Sequence, residues 1–101
     1  MTNEQNKLIA ERLAGYEVQV SPAGKHYIVT DEGTMPMPDF ETDATETSST
    51  VEALCKSRDW LCGVDRLLGV YSAYVNNVSS TQRTITAAFA HCLLQIAEGE
   101  E

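Results

Sequence analysis

Chemistry in this chain would have to come from few side chains. The thiols are Cys55, Cys62 and Cys92, and the imidazoles are His26 and His91. Cys92 directly follows His91 in a stretch that reads as helix. A thiolate–imidazole nucleophile needs both groups within hydrogen-bond reach. Adjacent helical residues diverge by about 100°, so no such pair is expected here. The cysteines are odd in number and none has C-x-x-C spacing. Reduced, mostly buried thiols are therefore expected, with neither a disulfide framework nor a zinc site. Carboxylates crowd into residues 31–46, where Asp31, Glu32, Asp39, Glu41, Asp43 and Glu46 have no Lys or Arg among them. A general acid needs a buried carboxyl of raised pKa, and an acidic stretch without apolar walls is a poor place for one. Asp39, Glu41 and Asp43 alternate as oxygen ligands could, but the glycine and distal glutamate of an EF-hand loop are missing. There is no Gly-rich phosphate loop and no basic–aromatic stripe. No catalytic, cofactor or metal site is predicted. Three readings of 31–46 are weighed: a solvated connector, a docking surface for a basic protein with Asp39, Glu41, Asp43 and Glu46 as its contacts, and, least favoured, a cation site on Asp39, Glu41 and Asp43.

Charge and composition narrow the classes further. The formal net charge is -8, which argues against nucleic acid and against an anionic membrane surface. A basic protein partner is compatible with it. With 101 residues, 43% of them hydrophobic and 22% charged, the chain reads as one globular domain that can bury a core without staples. The N-terminus, MTNEQNKLIAERL, has no continuous apolar stretch and no cleavage signal, and no run approaches transmembrane length. A soluble cytoplasmic protein is expected.

The elements that must hold these residues are read from periodicity. Thr2 and Gln5 have capping-box spacing, and Gly15 suits a helix end, so residues 3–14 are predicted as a helix. Residues 16–20 alternate apolar and polar, Ser21-Pro22-Ala23-Gly24 is a turn, and residues 27–30 return as a second strand. Met35-Pro36-Met37-Pro38 excludes helix and disfavours a central strand. The middle helix has two possible starts, capped by Asp43 with Glu46 or by Ser49 with Glu52, and the Thr and Ser residues between them favour the later one. Trp60–Leu68 and Val70–Asn76 read as strands around Gly69, and residues 76–81 read as a polar turn. Thr84–Ile96 is an amphipathic helix with Ile85, Phe89, Cys92, Leu93 and Ile96 on its apolar stripe. Leu94 lies about half a turn from Ile85. Either the buried face is wide, or Leu94 contacts a partner such as a second copy of the chain. Glu98–Glu101 is expected as a frayed acidic end.

Three segments resemble the phage ABA-sandwich domain family, small proteins encoded by tailed phages and prophages. Ile9-Ala10 followed by Gly15-Tyr16 resembles the family's helix end and first strand. Pro38-Asp39-Phe40-Glu41-Thr42-Asp43 is similar to the step before its middle helix. Thr84 through Ala88, Phe89, Ala90, Cys92 and Leu94 looks like its terminal helix. The chain departs from the family at Phe89, where a smaller aliphatic is usual, at Cys92, where alanine is usual, and in the Thr/Ser-rich stretch 44–50. The resemblance implies an α/β/α sandwich and a phage or prophage origin, and implies no activity. The reading is thus an α+β protein of order α-β-β-α-β-β-α with a mainly antiparallel four-stranded sheet. Its expected role is that of a non-enzymatic accessory in the host cytoplasm, binding a protein through the acidic surface. The alternative is an assembly accessory acting as a homo-oligomer.

Overall fold

Thr2 starts the first helix as its spacing to Gln5 predicts. In the computed structural model, which describes residues 1–99, the Thr2 hydroxyl accepts from the Gln5 amide at 3.2 Å. The Gln5 side chain accepts from the Thr2 amide at 2.9 Å, so both orphan donors are satisfied. Helix α1 runs Asn3–Arg12 and buries Asn6, Ile9 and Ala10, one face at spacings of three and one. Gly15, at φ 75°, turns the chain out of it.

Among the described residues the strands number six. β1 (Glu17–Val20), β2 (His26–Thr30) and β3 (Gly33–Pro36) form one antiparallel sheet with β2 in the centre. β4 (Cys62–Leu67), β5 (Val70–Val75) and β6 (Val78–Gln82) form another, with β5 in the centre. The expected single four-stranded sheet is therefore corrected to two separate three-stranded sheets. The two added strands are both edges. β3 tolerates Pro36 because an edge strand has an unpaired side where a missing N–H costs nothing. β6, sequence VSSTQ, follows a two-residue connection in which Asn76 takes φ 58°, so the expected polar turn is two residues long and the ladder resumes at Val75↔Val78. Of the expected strand Trp60–Leu68, Cys62–Leu67 is strand and Leu68 belongs to the turn, with the register to β5 running from Cys62↔Val75 to Leu67↔Val70.

Helix α2 spans Ala44–Arg58 with Asp43 as its N-cap. The locally favoured start at Ser49 is thereby corrected. Thr47 and Thr50 are poor helix formers, but both are buried and their hydroxyls are occupied. Thr47 donates to the Phe40 carbonyl, and Thr50 donates to the Glu46 carbonyl at 2.8 Å. Tertiary packing overrides propensity here. At the far end Asp59 takes the left-handed conformation, and the Arg58 guanidinium lies 4.9 Å from the Trp60 ring centroid.

Helix α3 (Ile85–Gly99) is the hub. It packs on β5 and β6 on one side and on α1 and α2 on the other, while α1 also packs on β1. The helices are therefore not shared between two faces of one sheet, as an α/β/α sandwich would have them. Its buried residues include Ala88, Ala90, Cys92, Leu93, Leu94, Ile96 and Ala97, a face wider than the predicted stripe. Ile85 is 44% exposed and Phe89 is half-buried, so the stripe is shifted toward the alanines. Glu98 and Gly99 are still helical, and the last two residues of the expected frayed end lie outside the described residues.

Candidate functional site

The acidic segment is held by one apolar wedge. Phe40 is fully buried. Its amide donates to the buried Asn6 side chain at 3.0 Å, and its carbonyl accepts from Thr47. Around this anchor each of the four predicted contact carboxylates has a local partner. Asp39 Oδ1 accepts from the Glu41 amide at 3.1 Å. Glu41 Oε2 lies 2.6 Å from His91 Nε2, and its Oε1 lies 3.5 Å from the N-terminal ammonium. Asp43 caps α2, accepting from the Glu46 amide at 3.1 Å. Glu46 Oε2 accepts from the Tyr16 hydroxyl at 3.0 Å.

The electrostatics follow from these pairs. The hydrogen bond from His91 holds the Glu41 carboxyl below its ordinary 4.5, against an opposing push from burial. Burial, and then the bond to Glu46, raises the Tyr16 phenol. The carboxylates are therefore half-buried acceptors, and Glu41 and Glu46 tie the connector and α2 to the N-terminus, Tyr16 and α3. Asp31 and Glu32, at the exposed turn between β2 and β3, are the acidic residues of the segment left free to face solvent. Among the described residues no group of three or more His, Cys, Asp or Glu side chains could hold a metal ion.

The remaining candidates are also placed. Leu94 is 6% exposed and belongs to the core, so the wide-face reading holds and a contact with a second copy through it does not. His91 turns to Glu41, whereas the fully buried Cys92 thiol points to the Ala73 carbonyl at 3.5 Å. The two side chains leave α3 in different directions. Burial pushes the Cys92 thiol up to about 11, which leaves little thiolate at neutral pH. His26 lies on the inner side of β2, its Nε2 3.9 Å from Glu4.

One surface was missed by sequence reasoning. Leu61 accepts from the Asn76 amide at 2.8 Å, extending the β4–β5 ladder by one pair. Leu61, Gly63, Asp65 and Leu67 then share one face with Tyr74, Ser72 and Val70. That face is opposite to the buried Ala73 and Val75, so it points away from α3. Leu61 is 78% exposed and Leu67 54%, Tyr74 is exposed beside them, and Leu68 at the hairpin tip is fully exposed. The Tyr74 ring lies over Gly63, where an added Cβ would come within 2.8 Å of it. Nearly all of β4 is exposed, and among the described residues no strand pairs with its outer edge. The available signal was Leu67-Leu68 directly before Gly69, two large apolar residues at a position where a solvated turn calls for polar ones.

Compared with protein-family models, curated proteins and solved structures, the chain matches none.

Proposed function

We propose that the protein is a non-enzymatic accessory that acts by binding another protein. The observation that carries this reading is the β4–β5 hairpin, with Leu61, Leu67, Leu68 and Tyr74 presented to solvent beside an unpaired edge strand. Exposed apolar clusters and open strand edges are the features proteins use for association. The net charge of -8 adds long-range attraction for a basic partner. Asp31 and Glu32, free at their turn, suit that role better than the four committed carboxylates. Phage or prophage origin and residence in the host cytoplasm belong to the same proposal, supported by the three resembling segments.

The alternative, assembly as a homo-oligomer, moves from Leu94 to this same hairpin. The test uses the protein as bait in host lysate beside a Leu61→Ser/Leu68→Ser variant. The wild type is expected to retain one specific protein that the variant loses, with equal thermal stability for both baits. Equal capture by both baits, or none by the wild type, would contradict the binding reading. Light scattering at high concentration separates the readings: a monomer removes the homo-oligomer.

A further inference from the structure

Two of the three cysteines line one cleft. Cys55 sits in the last turn of α2, and Cys62 is the first residue of β4. Between them Asp59 takes φ 55°, and the Trp60 amide donates back to the Cys55 carbonyl at 2.9 Å, which reverses the chain. The Leu61–Asn76 bond then fixes the strand that carries Cys62. Opposite Val75, Cys62 faces inward, toward α3. The two side chains are neighbours across this reversal, close enough for each thiol to feel the other. Both line one open cleft of about 280 Å³ with Val51, Glu52 and Phe89. Cys62 is exposed, Cys55 is half-buried, and Cys92 is sealed in the core.

We propose that Cys55 and Cys62 form a reversible dithiol–disulfide pair, oxidised by small disulfides of the glutathione class that reach Cys62 through this cleft. Cys62, as thiolate, attacks one sulfur of the small disulfide. That S–S bond breaks, and one small thiolate leaves and takes a proton from water. The Cys55 thiol then gives its proton to water and attacks the Cys62 sulfur. The second small thiol leaves, and the Cys55–Cys62 bond forms. Two protein thiols are oxidised and one small disulfide is reduced to two thiols. Exposure makes Cys62 the first nucleophile. Cys55 is half-buried, and burial first, then Cys62, pushes its thiol up to about 11, so it does not compete for the first attack and is left to act second. The bridge would close a ring of eight residues and clamp the base of the β4–β5 hairpin to α2. This inference stands apart from the binding proposal.

The test treats the folded protein with oxidised glutathione, blocks remaining thiols, and maps the bridges by mass spectrometry. Free thiols should fall from three to one, through a Cys55–Cys62 bridge. Cys92→Ser should bridge equally well. Cys55→Ser should stop at a stable glutathione adduct on Cys62. Held side by side, the thiols should bridge on the order of tenfold faster in the folded protein than in urea. A persistent Cys62 adduct in the wild type, a bridge that includes Cys92, or equal rates with and without urea would overturn the proposal.

Discussion

Glu41 shows what happens to a charge run once a chain folds. Sequence reasoning saw six carboxylates without a basic residue among them and read solvent or a partner. Two of them take partners distant in sequence: His91 is 50 residues from Glu41, and Tyr16 is 30 from Glu46. No local pattern reports such pairs. Leu94 is the converse case. Its burial was legible as one of two outcomes, and the width of the helix face decided between them. The Glu41 pair has a consequence for pH. Its carboxyl is held below 4.5 in the folded state, so the unfolded chain takes up a proton first as pH falls. The contribution is therefore complete above 4.5 and is lost as pH drops through the lower, folded value. Glu41→Gln should lower stability at neutral pH by at most about 1 kcal/mol, because the pair is partly exposed. It should also make the decline on the acid side shallower. Urea unfolding at a series of pH values checks this, and parallel curves for the two proteins would refute it.

At the scale of elements, periodicity found the three helices and four of the six strands of the described residues. It missed β3 and β6 because edge strands have one free side, and so accept Pro36 or a Ser/Thr sequence that reads as a turn. The start of α2 was misplaced for a different reason. Threonine is penalised for its hydroxyl, yet Thr47 uses that hydroxyl to hold Phe40, a contact that propensity does not contain. The two possible starts predict different mutants. Asp43→Ala should cost about 1 kcal/mol and reduce helical circular dichroism, because the cap is lost. Ser49→Ala, at an exposed position inside the helix, should stay within about 0.5 kcal/mol. A larger loss for Ser49→Ala would restore the later start.

At the scale of the molecule, α3 covers the β4–β5–β6 sheet directly and is linked to the β1–β2–β3 sheet through α1, and the two sheets share no strand, so each depends on a helix layer to stand. The radius of gyration is 13.6 Å, close to the roughly 13 Å of a closely packed chain of this length. One consequence of this arrangement is the uncovered outer face of β4–β5. The helices lie on its other side, which leaves Leu61, Leu67 and Leu68 for a partner. The Leu61–Asn76 bond places odd-numbered β4 residues in the bonded pairs, so the amides of Cys62, Val64 and Arg66 point to the open edge. Residue-resolved amide hydrogen exchange on the isolated protein tests this most directly. The amides of Cys62, Val64 and Arg66 should exchange fast, while those of β5, bonded on both sides, exchange slowly. Uniformly slow exchange along β4 would mean that its edge is already covered, and would contradict a face held open for another protein.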